Sequence, residues 1–171
     1  MAVSKKIINY LEKNGYKYEL IEHRTTFTAW DTSQTTQKHQ KKVSPSEIAK
    51  ALVVKADNTH FLSLIPANKM LDKKKLLKQI NANRKKLKEK LFKKLDLAKE
   101  AWMKKNIPGK IGAVPPFREL LEYDIFIDNL LAKQKNIYVG SGEYEYSVKL
   151  PVKQYLKNEK PLRGSFGAKR T

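Results

Sequence analysis

Hydrophobic and polar positions repeat with two different periods along the chain, and the order of these periods predicts helices and strands. Apolar side chains recur at helical spacing over residues 5–14, and Gly15 follows them as a residue that commonly ends helices. Residues 16–21 then alternate between polar and apolar side chains, which is typical of a half-buried strand. Residues 25–43 are polar, and we expect them to end in a loop.

The strongest strand pattern comes next. An apolar run at residues 51–56 and a second one at residues 60–66 flank Asp-Asn-Thr at residues 57–59, which suits a tight turn. These residues predict a β-hairpin. Immediately before it, Ser-Pro-Ser-Glu at residues 44–47 has the residue types that begin a helix, so a short helix ending at Lys50 is predicted.

The middle of the chain predicts two further helices. Residues 73–80 keep apolar side chains on one side, and Asn-Ala-Asn at residues 81–83 interrupts that pattern. From Leu87 to Trp102, apolar side chains recur every three or four residues, which predicts a basic amphipathic helix over residues 88–105. Its apolar stripe favours the core over a membrane, because strand-like segments flank it on both sides.

The last third of the chain returns to strand patterns. Residues 107–117 are rich in glycine and proline and are predicted to be a loop. Strands are predicted at residues 123–128, 136–140 and 146–150, with a turn at 141–144. The sum is an α+β fold with a central mixed, mostly antiparallel sheet surrounded by helices.

The domain organisation follows from this order of elements. We expect a single domain over residues 1–157, with a basic helical segment at about residues 84–110. Residues 158–171 are rich in lysine, arginine, glycine and serine, so we expect a basic, flexible tail there.

Charge narrows the classes of partner. The 171 residues contain 36 Lys and Arg against 17 Asp and Glu, a net charge of +19. Residues 69–110 alone carry 16 basic and 4 acidic side chains. A surface this basic favours a polyanion, with nucleic acid first and an anionic membrane second. The alternative for each single lysine is a solvated helix face.

Several kinds of chemistry are excluded by the sequence. Cysteine is absent, which removes thiol nucleophiles, disulfides and Cys-ligated metals. The three histidines stand at positions 23, 39 and 60 without a metal-ligand spacing, and phosphate-binding glycine motifs are absent. We therefore expect neither a metal nor a cofactor. No apolar segment has the length of a signal-peptide core or a membrane span, so we expect a cytoplasmic protein and no membrane partner.

Five segments in a fixed order carry a resemblance to a known family. They lie at residues 19–28, at 48–57, at 64–67 with 71–76, at 112–117, and from 127 to 150. Their order resembles the prolyl-tRNA synthetase-associated (YbaK-like) domain, a family that includes free-standing aminoacyl-tRNA deacylases. The resemblance extends from about Ile7 to Leu156 and implies hydrolysis of the ester that joins a wrong amino acid to tRNA.

The resemblance also implies roles for particular residues. The family's lysine falls on Lys50, which the resemblance makes the catalytic residue; the residues alone allow a cation favoured at a helix C-terminus. The family's Gly-x-x-x-Pro loop falls on Gly112 to Pro116, and we expect it to share a cavity with Lys50. Family members are thought to use the terminal ribose hydroxyl of the tRNA, so the resemblance requires no catalytic triad. The other substrate-binding residues implied are His23, Ala51, Gly140, Ser141, Gly142 and Ser147.

Three hypotheses of function remain open at this point. The first is a deacylase that acts in trans on mischarged tRNA, with an aminoacyl-tRNA synthetase as a second partner. The second is a non-catalytic tRNA-binding or synthetase-associated module of the same fold. The third is a peripheral protein of anionic membranes that uses residues 88–105. Glu145 and Tyr146 stand where many family members have a smaller pair, which leaves the amino-acid preference open.

Overall fold

Helices and strands are interspersed along the chain in the computed structural model, which describes residues 3–23 and 43–169. The predicted loop at residues 25–43 lies almost wholly outside the described residues. The helices are α1 (Lys5–Lys13), α2 (Lys73–Lys86), α3 (Glu100–Asn106), α4 (Arg118–Leu121), α5 (Asn129–Ala132) and α6 (Val152–Glu159), with a 3-10 turn at Pro45–Glu47. The strands are β1 (Glu19–Glu22), β2 (Ala49–Ala56), β3 (Thr59–Pro66), β4 (Lys69–Leu71), β5 (Leu95–Leu97), β6 (Ile125–Asp128), β7 (Asn136–Gly140), β8 (Tyr146–Pro151), β9 (Leu162–Gly164) and β10 (Gly167–Lys169).

The strands form three sheets. The largest has the order β5-β2-β3-β6-β9; its first three strands are antiparallel, and β6 and β9 continue it in parallel. A three-stranded antiparallel sheet has the order β1-β8-β7, and β10 pairs with β4. A parallel bridge between Ile48 and Tyr138 brings the start of β2 beside β7. The predicted fold class is confirmed: a central mixed sheet is flanked by helices, and five of the seven strand pairs in the described residues are antiparallel.

The central sheet is buried on both faces because alternate residues of β2 enter different clusters. Ala49 and Val53 pack into a core with residues of α1 and α6. Val54 and Ala56 pack with Leu76 of α2 on the other side. The predicted hairpin is confirmed, since the pairing of β2 with β3 runs from Ala49 opposite Pro66 to Ala56 opposite Thr59.

A buried carboxylate joins the two ends of the chain. Glu159, at the end of α6, is fully buried and accepts hydrogen bonds from the Tyr10 hydroxyl at 2.8 Å and the Tyr16 hydroxyl at 2.5 Å. The backbone N–H of Arg118 donates to it at 2.7 Å. Burial, and next the bond to this carboxylate, raise the pKa of Tyr10 and Tyr16 far above the usual value, so both remain donors.

The expectation of a flexible tail from residue 158 is wrong for residues 158–169. Phe166 is fully buried, and its backbone N–H and that of Gly167 donate to Asp128 Oδ2 at 3.0 and 2.7 Å. Strands β9 and β10 add this segment to two sheets. The prediction relied on the basic composition of this segment and gave no weight to Phe166. The burial of this aromatic side chain stabilises the ordered segment.

The predicted helix over residues 88–105 is also wrong, and α2 continues through the predicted interruption at residues 81–83. The Asn81 side chain exchanges hydrogen bonds of 2.9 and 2.8 Å with the Phe92 backbone, which holds the following segment in a non-helical path. β5 then pairs with the edge of β2, and only α3 is helical. The backbone hydrogen bonds between β5 and the edge of β2 outweigh the helical spacing of the apolar residues.

The short helix predicted to end at Lys50 is reduced to one 3-10 turn. Ser44 caps this turn, its hydroxyl accepting from the Ser46 N–H at 3.3 Å, but Lys50 already belongs to β2. The β-branched residues that follow favour an extended backbone and shorten the helix. Across the described ranges, no helix is both long and apolar enough to cross a membrane.

Candidate functional site

Two loops are joined by backbone hydrogen bonds where β7 ends. The Gly142 N–H donates to the Ala113 carbonyl at 2.7 Å, and the Lys110 N–H donates to the Gly142 carbonyl at 3.0 Å. A Cβ atom placed on Gly140 would lie 2.7 Å from the carbonyl oxygen of Ala113. Real Cβ atoms do not approach backbone so closely, so this junction requires glycine at position 140.

A small cavity lies at this junction. Its volume is about 20 Å³, which is room for about one water molecule. Three of the predicted site residues share it: Gly112, Gly140 and Ser147. Tyr146, which the sequence marks as a departure from the family, also lines the cavity. The remaining lining residues were not predicted from the sequence: Ile48, Ala49, Ala113, Tyr138, Val139 and Glu143. The bridge between Ile48 and Tyr138 brings these segments together, and nothing in the local pattern indicates that bridge.

His23 reaches the cavity through Ser147. Strand β8 lies between β1 and β7, and Ser147 is paired with Ile21 on one side and Gly140 on the other. The Ser147 Oγ lies 2.9 Å from His23 Nε2, and either atom can donate according to the tautomer of the ring. The backbone N–H of His23 donates to the Glu145 carbonyl at 2.8 Å. Both side chains are buried, so their mutual orientation is held by packing.

Ser141 and Gly142 line a different cavity, of about 180 Å³, on which Ile7 and Pro115 also border. The Ser141 hydroxyl is fully buried and lies 2.6 Å from the carbonyl oxygen of Tyr146, to which it donates. It also accepts from the Glu143 N–H at 3.2 Å. These bonds close the turn between β7 and β8, which is a structural role.

Lys50, Ala51 and Pro116 do not line the small cavity. Alternation along β2 directs Lys50 to the face opposite Ala49 and Ala51. The Lys50 ammonium donates to the Lys69 carbonyl at 2.8 Å. Ala51 packs on the core, and the Pro116 carbonyl accepts from the Tyr155 hydroxyl at 2.7 Å. The expected common cavity for Lys50 and Gly112 is therefore not formed by the described residues.

The rim of the cavity carries one ion pair. Lys110 Nζ lies 2.8 Å from Glu143 Oε2, and this bond raises the pKa of Lys110. Glu143 also lines the cavity, so its carboxylate is held toward the loop of residues 107–117. In the part of the chain that the structure describes, no cluster of three or more His, Asp or Glu side chains could hold a metal ion.

Comparison with known proteins gives the same fold and a family. A family model for the aminoacyl-tRNA editing domain matches residues 28–157, which is more than half of the chain. The proline–tRNA ligases of Thermoanaerobacter sp. (strain X514) and Thermoanaerobacter pseudethanolicus are each 25% identical over 107 residues. The match covers 63% of this chain but only 17% of each ligase.

Two solved structures share the fold over nearly their whole length. One, a hypothetical protein, has a TM-score of 0.76 at 18% identity, with 95% of this chain and 99% of that chain covered. The other, a proposed trans-editing enzyme for prolyl tRNA synthetase, has a TM-score of 0.72 at 18% identity, with 99% and 100% covered. At this level of identity the likeness shows the fold alone.

Proposed function

The chain belongs to the aminoacyl-tRNA editing domain family, and we propose that it hydrolyses the ester bond of mischarged tRNA, acting in trans. The observation that carries the proposal is the small cavity, in which Gly112, Gly140 and Ser147 surround a space for about one water molecule. Hydrolysis requires one water molecule held beside an ester carbonyl.

The proposed reaction needs little from side chains. The water oxygen attacks the ester carbonyl carbon, and the bond from that carbon to the terminal ribose oxygen breaks. The ribose oxygen takes up a proton, so the products are a free amino acid and uncharged tRNA. Because the ester is already activated, orientation and stabilisation of the developing oxyanion supply most of the rate. Gly112 is exposed and has no Cβ, so the substrate can approach its backbone closely.

The Ser147–His23 pair is the proposed contact for a hydroxyl of the terminal ribose or for the aminoacyl group. Its two polar atoms lie 2.9 Å apart, and each can donate or accept. The pair is buried beside Gly140, so a substrate group that enters the cavity meets a hydrogen-bonding partner of fixed position.

Lys50 is the proposed cation for the substrate, in the role that the family resemblance implies. Its ammonium has to exchange the Lys69 carbonyl for the carbonyl or terminal phosphate of the tRNA. Because Lys50 and Ala49 project from opposite faces of β2, contact with an ester held at the small cavity requires a local change of backbone at Lys50 as well as a movement of its side chain. The loss of one hydrogen bond of this kind costs about 1–3 kcal/mol, which a charge-assisted bond to substrate offsets.

A second candidate function is a non-catalytic module that binds tRNA or associates with a synthetase. The volume of about 20 Å³, measured over the described residues, favours it, because an aminoacyl group does not fit this space without movement of the surrounding loops. The similarity to proline–tRNA ligases makes prolyl-tRNA synthetase the first partner to test. Either role places the protein in the cytoplasm, with the translation apparatus.

The deciding experiment is a deacylation panel that includes tRNA charged with alanine, serine and cysteine. The wild-type protein is expected to release at least one of these amino acids faster than buffer does, and Lys50→Ala to lower kcat about a hundredfold. Lys153→Ala, an exposed lysine of α6, is the matched control and should retain the wild-type rate. If no charged tRNA is hydrolysed faster with the protein than without it, the hydrolase proposal fails. Retained tRNA binding would then support the non-catalytic module.

A further inference from the structure

A larger cavity lies at the other end of β2. Its volume is about 360 Å³, within the usual range for ligand sites, and far above that of the small cavity. We call it the basic groove; it is lined by Lys55, Asp57, His60, Lys94, Asp96, Leu97, Lys99 and Trp102. None of these residues contributes to the proposed hydrolysis.

A rigid aromatic wall forms one side of the basic groove. The rings of His60 and Trp102 are stacked, with centroids 3.5 Å apart and planes inclined by 5°. Lys55 lies on β2, opposite His60 of β3 on one side and Asp96 of β5 on the other. Pairing with both strands holds its backbone, and therefore its Cβ atom, in place. The groove is therefore built from paired strands and from α3 rather than from a loose loop.

The carboxylates of the groove have partners within the protein, whereas two of its lysines form no ion pair among the described residues. The Asp57 carboxylate accepts from the backbone N–H groups of Lys93 and Lys94 at 3.2 and 3.0 Å. Asp96 is shared by Lys73 at 3.3 Å and Lys94 at 3.9 Å. Among the described residues, no carboxylate forms an ion pair with Lys55 or Lys99. The groove thus presents Lys55 and Lys99 without an ion pair among the described residues, and Lys94 with a long ion pair to Asp96 that is largely exposed to solvent.

The basic groove and the small cavity are spatially related. Ala49 lines the small cavity and Lys55 lines the groove, and both project from the same face of β2 because they are six residues apart. At 3.3 Å per residue, this places them about 20 Å apart. A small metabolite cannot bridge this distance, whereas an extended polyanion can contact both places at once.

We propose that the basic groove is a second tRNA-binding surface, where Lys55, Lys94 and Lys99 hold backbone phosphates of a tRNA whose 3′ end lies at the small cavity. The proposal rests on the function proposed above in naming tRNA as the ligand. RNA is favoured over an anionic membrane because the lysines converge on a concave groove with an aromatic wall. A planar lipid surface would contact a flat or convex face instead.

The test measures binding of uncharged tRNA by fluorescence anisotropy at several salt concentrations. The groove variant carries Lys55→Ala, Lys94→Ala and Lys99→Ala together. We expect it to lower affinity about 10-fold to 100-fold and to reduce the slope of log K against log salt by about 2 to 3, since three phosphate contacts are lost. The matched control removes the same charge elsewhere, with Lys133→Ala, Lys153→Ala and Lys157→Ala, all exposed. The control should keep a slope within about one unit of the wild type.

A variant with arginine at the same three groove positions should keep the wild-type salt slope, which would show that positive charge at these positions is sufficient and that lysine itself is not required. Equal losses in the groove variant and the control would overturn the proposal, because net charge alone would then explain binding. The proposal is also overturned if the groove variant binds tRNA normally but no longer binds vesicles that contain phosphatidylserine.

Kinetics separates this proposal from the hydrolase proposal. In the deacylation assay the groove variant should raise KM about 10-fold or more and leave kcat unchanged, because the lost contacts are uniform binding contacts. If the wild-type protein binds tRNA through the groove but hydrolyses none, only the hydrolase proposal fails. If hydrolysis is normal and the groove variant has a wild-type KM, only the groove proposal fails.

Discussion

The small cavity and the basic groove lie at opposite ends of β2, and they are built from opposite kinds of residues. The cavity lies at a junction of two backbone segments and is lined by Gly112, Gly140 and Ser147 together with larger side chains such as those of Tyr138 and Tyr146. The groove is about eighteen times larger in volume (about 360 against about 20 Å³) and is lined mainly by charged and aromatic side chains, including Lys55 and Trp102. The junction at the small cavity forms because Gly140 has no Cβ atom, whereas the basic groove depends on the charge of its lysine side chains.

The difference predicts how each region responds to substitution. In a closed backbone junction, a single added methyl group has no space and displaces a loop, so effects are large and steep. In an exposed groove, each lysine adds a modest, salt-screened contribution, so effects are small and nearly additive.

The largest effect is expected for Gly140→Ala. The new Cβ would lie 2.7 Å from the Ala113 carbonyl, so the loop of residues 107–117 must move. We expect the free energy of unfolding to fall by about 1–3 kcal/mol and the deacylation rate to fall about a hundredfold. Chemical denaturation and single-turnover deacylation measure the two effects.

Gly15→Ala is the matched control for that substitution. Gly15 has a positive φ of 68° but has open space around its Cβ position, so it tests backbone strain without a collision. It should lower the free energy of unfolding by about 1–2 kcal/mol and leave deacylation unchanged. An equal loss of activity in both variants would show that the junction at Gly140 has no special role.

A smaller effect is expected for Ser147→Ala. Removing the hydroxyl leaves His23 without the partner at 2.9 Å and removes a proposed substrate contact. The deacylation rate should fall about tenfold, with a stability loss of about 1 kcal/mol. Ser165→Ala is the control: it removes an exposed hydroxyl that accepts from the Asn129 side-chain amide at 3.2 Å, so stability should change by less than about 1 kcal/mol and the deacylation rate should not change. A Ser147→Ala protein with full activity would exclude this pair from substrate binding.

In the groove, Trp102→Ala should affect binding more than chemistry. The substitution removes the stacked partner of His60, an interaction worth about 0.5–1.5 kcal/mol. We expect KM for tRNA to rise severalfold with kcat unchanged, in contrast to Gly140→Ala, which lowers kcat. A fall in kcat without a change in KM would place Trp102 in the reaction and weaken the contrast between the two regions.

The smallest expected effect is a pH dependence that originates at His60. Burial, and next the charge of Lys55, lower the pKa of His60 below its usual 6.5. Asp57, Asp96, Lys94 and Lys99 also border its cavity. Because the unfolded chain then binds the proton more readily than the folded one, stability should be highest above pH 6.5 and fall as the pH falls through the folded pKa.

His60→Phe keeps an aromatic ring against Trp102 and removes the titration. Unfolding measured at pH values on both sides of 6.5 should show a smaller loss of stability on acidification for this variant than for the wild type. Identical pH profiles would show that His60 contributes nothing to the dependence.

Local patterns were sufficient to predict much of the fold. The hairpin of β2 and β3 was predictable because its alternation and its turn residues agree with each other. The loop with Gly112 was predictable from its glycine and proline content. In contrast, the segment around Leu95 was predicted as a helix, because the periodicity of a short apolar run does not reveal an open sheet edge beside it.

The candidate site was only partly predictable. Gly112, Gly140 and Ser147 were identified through the family resemblance, and the structure brings them to one cavity. Lys50 was predicted to lie with them, but a strand continues through its position and directs its side chain to the other face. The groove could not be foreseen, because Trp102 and His60 meet only through packing across 42 positions of sequence.

The sequence by itself determined the secondary structure wherever apolar periodicity and turn chemistry agree, and it determined the strongly basic character of the middle segment. These properties depend on neighbouring residues alone, which is why they can be read locally. Only the tertiary structure decided the edge pairing of β5, the anchoring of Phe166 and the meeting of Ser147 with His23. Each of these depends on burial and hydrogen bonding between segments far apart in the chain, and such energies have no local signature.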